Sequence, residues 1–247
     1  GVGEKIFGNV LYDPWVGKPP DHNPVILIPG ILGTELKLGD QLLWADIGRM
    51  IRDVDDGFMD PLLMNEDGES INEGVRVVDV LRNKDILPLV SFNYFDALIR
   101  EFTSHDYKEN VDLFVFPYDW RLEIQINSSL LQQKIDQILA QTGSQKVDIV
   151  AHSMGGLVTK KYILDYGENA VDKVVFVGTP HLGSPNAAKT ILFGDDMGIK
   201  LGVSLLNPEE IKKIARNMAS VYELLPSRKY VGSMGSYIVD LIQQKFW

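Results

Sequence analysis

The chain has 247 residues, 45% of them hydrophobic, which is enough to form one sizeable α/β domain. Its 34 acidic and 24 basic residues give a formal net charge of -10, which argues against a nucleic-acid-binding protein and against electrostatic adhesion to anionic membranes. The absence of cysteine excludes disulfides and thiolate metal sites, so the chain's compartment, secreted or cytoplasmic, stays open.

Four short apolar runs predict buried strands. They occupy 24–30, 111–120, 146–151 and 171–178 and are rich in β-branched residues. Near-continuous runs of this kind are typical of a parallel sheet that is covered on both faces. With helical patterns between them, they predict a single α/β domain over residues 1–247.

Helical patterns separate these strands. The first is an apolar repeat at helical spacing, formed by Phe92, Phe95, Ile99 and Phe102. A second spans 127–143, where Ser129 and Gln132 predict a capping box and Gly143 predicts the end of the helix. A third, at 155–167, directly follows the third strand.

Two stretches interrupt this alternation. Residues 36–88 are rich in Asp, Gly and Met and are interpreted as a lid-like insertion. Residues 190–247 are interpreted as a helical cap, in which Asn207, Pro208 and Glu210 predict a capped helix start. An apolar stripe in this cap fits either a helix packed on the core or a lid over a hydrophobic cleft; it comprises Ile211, Ile214, Ala215, Met218, Val221, Tyr222 and Leu225.

The acidic stretch 53–60 resembles a calcium loop only superficially. Its glycine, Gly57, is fifth from Asp53, whereas an EF-hand loop requires glycine at the sixth position. A solvated acidic loop is therefore the favoured interpretation. No zinc spacing or phosphate-binding loop occurs elsewhere, so the sequence predicts neither a metal nor a cofactor.

The serine at 153 ends a predicted strand and precedes a predicted helix. This arrangement is typical of a nucleophile elbow, in which a strained turn exposes the serine hydroxyl. The positions two residues before and after it must be small, and they are Ala151 and Gly155, while Gly156 allows close helix packing. The N–H of Met154, at the start of the helix, is the natural first donor to an oxyanion. The alternative is that Ser153 is merely a helix N-cap.

Four segments, in this order, resemble the family of lecithin–cholesterol acyltransferase and lysosomal phospholipase A2: "PVILIPGILGTEL", "FPYDWR", "VDIVAHSMGGLV" and "VVFVGTPHLGSP". The resemblance implies an α/β-hydrolase fold with lid and cap insertions. It implies that Ser153 is the nucleophile and that the backbone N–H groups of Ile31 and Met154 form the oxyanion hole. It also makes Trp44, in the lid-like insertion, a candidate for contact with the acyl chain, although simple packing is an equal alternative.

Within "FPYDWR", a structural ion pair between Asp119 and Arg121 is favoured over a catalytic pair. An acyl-transfer serine also needs a histidine base and an orienting carboxylate, which follow the serine in this fold. Of the four histidines, only His181 follows Ser153, and it lies on a strand end that is common in hydrolases with another base. We therefore expect the catalytic Asp and His, with their strands, to lie beyond residue 247.

The sequence thus favours a serine-dependent lipase, esterase or acyltransferase that acts on lipid or other apolar esters. The lid would contact a lipid interface transiently, and no obligate protein partner is evident. The alternative is a non-catalytic, hydrolase-like module that binds lipid or a protein. The intact elbow favours the enzyme, whereas the missing base favours the module.

Overall fold

The computed structural model describes residues 22–53, 55–82, 84–87, 90–92, 95–194 and 206–233. The strands in this part of the chain are β1 (Val25–Ile28), β2 (Thr34–Leu38), β3 (Gln41–Trp44), β4 (Val75–Val80), β5 (Lys84–Leu87), β6 (Val90–Phe92), β7 (Leu113–Val115), β8 (Val147–His152) and β9 (Val171–Val177). The helices are α1 (Ile47–Arg52), α2 (Asp96–Ser104), α3 (Ile124–Thr142), α4 (Met154–Tyr166), α5 (Pro185–Phe193), α6 (Pro208–Ala215), α7 (Ala219–Glu223) and α8 (Arg228–Ser233), with a 3-10 helix at Gly57–Leu62.

A four-stranded parallel sheet forms the centre of the fold, in the order β7-β1-β8-β9. Each strand coincides with one of the four predicted apolar runs, although β7 is much shorter than its run and β8 extends one residue beyond its run, to His152. The prediction of a buried strand is wrong for β9, which lies at the edge of the sheet and has five exposed residues, Val175, Phe176 and Val177 among them. In the middle of the sheet, Leu27 of β1 pairs with Val115 on one side and Val150 on the other. The predicted α/β class is confirmed, because the strands are parallel and helices follow them.

The two faces of β1 contact different helices. Ile26 and Ile28 belong to the main hydrophobic cluster, which includes Ile135 of α3 and Val158 of α4. Alternate residues of β1 face a second cluster with Ile99 of α2. Since successive side chains of a strand point to opposite faces, both sides of the sheet are covered at β1. This explains why all four residues of β1 are buried and apolar.

The predicted insertion contains a second sheet that the sequence does not predict. Its three antiparallel strands have the order β3-β2-β4, and β5 and β6 form a separate hairpin. The prediction of Phe92 in a helix is wrong, because Phe92 pairs with Lys84 in that hairpin and the helix begins at Asp96. That 36–88 acts as a lid, and 190–247 as a cap, stays a prediction; residues 195–205 and 234–247 of the cap lie outside the described residues.

Helix α3 begins earlier than predicted. The capping box of Ser129 and Gln132 is wrong, since Ser129 lies inside the helix and its hydroxyl donates to the carbonyl of Gln125. The N-terminal N–H of Ile124 instead donates to the carboxylate of Glu223, at 2.7 Å. The predicted end at Gly143 is confirmed, with a left-handed φ of 70°.

The predicted start of α6 is confirmed in part. Asn207 accepts a hydrogen bond from the N–H of Glu209, and Pro208 occupies the first helical position. The capping box is wrong, because the N–H of Asn207 donates to Asp56 at 2.6 Å and Glu210 contacts Lys213 instead. The apolar stripe is divided between α6 and α7, and its member Tyr222 is exposed.

The acidic stretch is not uniformly solvated, which corrects the prediction for its central residue. Asp56 is buried, its backbone has a left-handed φ of 52°, and burial raises the pKa of its carboxyl. Beside it, Lys213 bonds Asp60, which lowers the pKa of that carboxyl. Glu210 is buried in the same group, and desolvation raises its pKa to about 6. The insertion and the segment of α6 are therefore in contact through the carboxylates of Asp56, Asp60 and Glu210 and the ammonium group of Lys213.

Replacing Glu210 with Gln should change how stability depends on pH. Because the folded-state pKa of Glu210 is raised from 4.5 to about 6, its stabilising contribution is present below pH 4.5 and is lost as pH rises through 6. Relative to the parent protein, Glu210→Gln should gain about 2 kcal/mol in free energy of unfolding between pH 4.5 and pH 7. Urea unfolding at both pH values measures this. The exposed neighbour Glu209→Gln is the control, and parallel pH profiles for parent and Glu210→Gln would contradict the prediction.

Candidate active site

Ser153 lies in a strained turn between β8 and α4. Its backbone has φ 51° and ψ −124°, a conformation that non-glycine residues rarely adopt. Its side chain makes no capping hydrogen bond with α4, so the interpretation as a simple N-cap is wrong. Its N–H donates to the carbonyl of Val177 at the end of β9, at 2.9 Å. The turn leaves the Ser153 side chain half-buried and lining a cavity.

The residues that follow the serine must be small. A Cβ on Gly155 would lie 2.3 Å from the carbonyl oxygen of Pro29, and one on Gly156 would lie 2.0 Å from Oγ1 of Thr179. Ala151, two residues before the serine, is fully buried. The predicted need for small residues at these positions is confirmed, because α4 begins in direct contact with the segment after β1.

The turn after β1 lies directly beside the serine. A Cβ on Gly30 would be 3.3 Å from the Oγ of Ser153, and the N–H of Gly33 donates to the carbonyl of Gly30 at 3.1 Å. Ile31 lines the same cavity as Ser153. Within the described residues, the N–H groups of Ile31 and Met154 donate to no protein acceptor. Two backbone donors therefore lie near the serine without an acceptor in the described part of the chain.

The cavity above Ser153 has a volume of about 330 Å³ and is mostly apolar. It is lined by Ile31, Leu32, Trp44, His152, Ser153, Gly178, Pro180, Ser184, Asn186, Ala187, Thr190, Val221 and Leu224. A smaller apolar cavity of about 20 Å³ shares five of these residues and extends between Trp120 and α6. The larger cavity has a polar end at the serine and an apolar end, where it shares Trp44 and Val221 with the smaller cavity.

Trp44 packs in the core and also lines the two cavities, while its contact with an acyl chain stays a prediction. It is 2% exposed, and its ring lies edge-on to Trp120 with 5.8 Å between centroids. Its indole N–H donates to the carbonyl of Leu32 at 2.8 Å. The side chain is therefore fixed in a single position beside the turn that contains Ile31.

All four histidines lie in the described part of the chain, and none is hydrogen-bonded to Ser153. His181 is exposed, packs against Phe176 and does not line the cavity. His152 lines it, and desolvation lowers the pKa of its ring. The other two contact carboxylates: His22 with Asp112 and His105 with Glu101.

Asp119 and Arg121 form a buried structural ion pair, which confirms the favoured interpretation. The guanidinium of Arg121 is 1% exposed and binds both carboxylate oxygens of Asp119, at 2.7 and 3.0 Å. Its remaining nitrogen donates to the carbonyl of Leu62 and the hydroxyl of Ser70. The pair therefore anchors the insertion to the segment after β7.

Tyr118 is not among the site residues that the sequence predicts, although it contacts the site. It is 1% exposed, and its hydroxyl donates to the carbonyl of Pro29 at 2.9 Å. The signal in the sequence was a tyrosine in a buried apolar run, because a buried tyrosine hydroxyl needs a partner. Its partner could not be identified without the fold.

In the part of the chain that the structure describes, no three His, Asp or Glu side chains are placed to hold a metal ion. Among the same residues, no helix has the length and apolar character that crossing a membrane requires.

Comparison with known proteins assigns the chain to a family. The profile of the family described as "Lecithin:cholesterol acyltransferase" matches residues 63–241. The chain belongs to this family. The family resemblance drawn from the sequence is therefore confirmed, and with it the α/β-hydrolase fold class.

Two relatives in Arabidopsis thaliana cover most of the chain. "Lecithin-cholesterol acyltransferase-like 4" is 26% identical over 83% of the chain and 43% of the relative. "Phospholipase A(1) LCAT3" is 24% identical over 68% of the chain and 44% of the relative. The chain spans less than half of the length of these two relatives. Among solved structures, the mature lipase BlEst2 of Bacillus licheniformis matches with a TM-score of 0.44 and 16% identity, over 90% of this chain and 61% of that one.

Replacing Gly155 with Ala should distort the turn at Ser153. The new methyl group would overlap the carbonyl of Pro29, and overpacking of this kind costs about 1–3 kcal/mol. Thermal unfolding should show the loss. Gly48→Ala is a matched control in the exposed face of α1, where a Cβ meets only ordinary contacts at 3.5 Å and should be neutral or stabilising. Equal stabilities for the two variants would show that the contact with Pro29 is not tight.

Proposed function

We propose that the protein is a serine-dependent enzyme that acts on carboxylic esters of lipids through an acyl-enzyme on Ser153. One observation carries the proposal: a strained, half-buried serine lines an apolar cavity next to two backbone N–H groups that donate to no described residue. Membership in the acyltransferase family supports the same chemistry, as do relatives named as an acyltransferase and a phospholipase.

In the proposed reaction, Oγ of Ser153 attacks the ester carbonyl and forms a tetrahedral intermediate. The N–H groups of Ile31 and Met154 donate to its oxyanion, at a helix N-terminus that favours negative charge. The intermediate collapses to an acyl-enzyme and releases the alcohol of the substrate. Water or a second alcohol then removes the acyl group, so hydrolysis and acyl transfer share the first half-reaction.

The attack requires a base that takes the hydroxyl proton of Ser153. None of the four histidines is hydrogen-bonded to that hydroxyl, so we assign no residue of this sequence to the role. The same observation favours the second candidate function, a non-catalytic module that binds lipid in the cavity. The strain at Ser153 favours the enzyme, because backbone strain is concentrated at functional sites.

The apolar end of the cavity supports a lipid as substrate. Its walls come from both segments that are interpreted as lid and cap: Trp44 from the first, and Val221 and Leu224 from the second. An acyl chain can lie between these side chains while the ester is at Ser153. We propose that the two segments cover the cleft and contact a lipid interface transiently.

A fluorophosphonate probe should label the full-length protein at Ser153. Ser153→Ala should abolish both the labelling and the hydrolysis of an aryl ester, because the proposed nucleophile is removed. Ser184 lines the same cavity, and its hydroxyl accepts a hydrogen bond from Asn186 instead, so labelling should persist in the control Ser184→Ala. Mass spectrometry locates the label. An unlabelled parent protein that binds fatty acid in the cavity would favour the non-catalytic module.

Ile31 should tolerate a change of side chain but not the loss of its N–H. Ile31→Leu keeps the donor and should change kcat little. Ile31→Pro removes the donor and should lower kcat by about 10²-fold or more. Steady-state hydrolysis of a short aryl ester measures both, with circular dichroism as the check on folding. Equal kcat values in the two variants would remove Ile31 from the oxyanion hole.

A further inference from the structure

The turn next to Ser153 contains a second strained residue. Leu32 has a φ of 63°, in the left-handed region that costs an ordinary residue about 1–2 kcal/mol. The hydrogen bond from Gly33 to Gly30 closes the turn, with Ile31 and Leu32 at its centre. Such a conformation persists only where surrounding contacts enforce it.

Two buried donors hold this turn, one at each end. The indole N–H of Trp44 donates to the carbonyl of Leu32 at 2.8 Å. The hydroxyl of Tyr118 donates to the carbonyl of Pro29 at 2.9 Å. The donors come from different parts of the fold, since Trp44 ends β3 and Tyr118 follows β7. Burial raises the pKa of Tyr118 above its ordinary value, so its hydroxyl keeps its proton.

We propose that Trp44 and Tyr118 are positioning residues of the oxyanion hole. By holding the carbonyls on either side of Gly30 and Ile31, they keep Leu32 left-handed and direct the N–H of Ile31 toward the ester carbonyl above Ser153. The inference rests on the proposed function. It assigns to Trp44 an effect on kcat even for a substrate without a long acyl chain. Neither packing in the core nor contact with an acyl chain would produce this effect.

Trp120 offers a matched comparison. It is also 2% exposed, and its indole N–H also donates to a backbone carbonyl, that of Thr34, at 3.0 Å. Thr34, however, is the first residue of β2 and has no left-handed φ. A change of Trp120 to Phe therefore removes the same kind of bond without releasing a strained residue.

The decisive experiment combines Trp44→Phe with Leu32→Gly. Trp44→Phe keeps a buried ring but loses the indole N–H, so Leu32 can relax and the donor at Ile31 turns away. With p-nitrophenyl acetate, whose acyl group is too short to need the apolar cavity, kcat should fall about tenfold or more, and KM should change less. Glycine adopts a left-handed φ without strain, so Leu32→Gly should restore most of the lost kcat in the Trp44→Phe background.

Three further variants separate positioning from packing. Leu32→Asn keeps a side chain of similar size and tolerates a left-handed φ, so it should also restore kcat in the Trp44→Phe background. Leu32→Gly should give no such recovery in the Trp120→Phe background. Tyr118→Phe removes one oxygen at the other end of the turn and should lower kcat in the same way. If Trp44→Phe does not fold, Tyr118→Phe takes its place in the test.

The outcomes distinguish this inference from the function on which it rests. If Ser153 of the parent protein is labelled by fluorophosphonate but kcat is unchanged in Trp44→Phe and Tyr118→Phe, the positioning role is overturned and the proposed function stands. The role is also overturned if kcat falls equally in the Trp44 and Trp120 variants and Leu32→Gly rescues neither. If Ser153 of the parent is not labelled, the proposed function is wrong and the inference is wrong with it.

Discussion

The buried ion pair of Arg121 and Asp119 is the interaction on which the rest of the site depends. Removing one partner of such a pair leaves an uncompensated buried charge and costs about 3–5 kcal/mol. Arg121 also binds the carbonyl of Leu62 and the hydroxyl of Ser70, which joins the insertion to the end of β7. The segment between β7 and α3 is thereby held between the parallel sheet and the insertion. This fixes the backbone on either side of Arg121.

One residue of that segment, Tyr118, carries the constraint to the proposed oxyanion hole, because it binds the carbonyl of Pro29 in the turn after β1. Trp120 binds the carbonyl of Thr34, at the start of β2 and outside the turn. Ser220, from the cap, donates to the carbonyl of Trp120 at 2.6 Å. Sheet, insertion and cap therefore converge on one short segment. A cavity that opens between these three parts has walls from all of them, which is what the residues around Ser153 show.

The parts of this arrangement that could be predicted from the sequence are those encoded by adjacent residues. A buried parallel strand is a continuous apolar run, and a close helix–strand turn demands small residues such as Gly155 on each side of the serine. Two of the predictions that failed concern the partners of helix N-termini. The N–H of Ile124 donates to Glu223 and that of Asn207 donates to Asp56, residues far away in the sequence, whereas a capping box assumes a partner three residues away. In both cases a carboxylate from a distant part of the chain accepts the hydrogen bond of the backbone N–H, and the local sequence pattern does not indicate this partner.

The same physical reason explains why the strained leucine could not be predicted. A glycine at position 32 would have indicated a turn with a left-handed residue, whereas a leucine is expected to avoid a left-handed φ. Leu32 and Ser153 line one cavity, both with positive φ, and each makes a backbone hydrogen bond with another part of the fold. A site with two strained residues must be assembled by the complete fold rather than by its own loops. The proposed donors are then oriented before any substrate arrives, and preorganisation of this kind makes backbone N–H groups effective toward a developing negative charge.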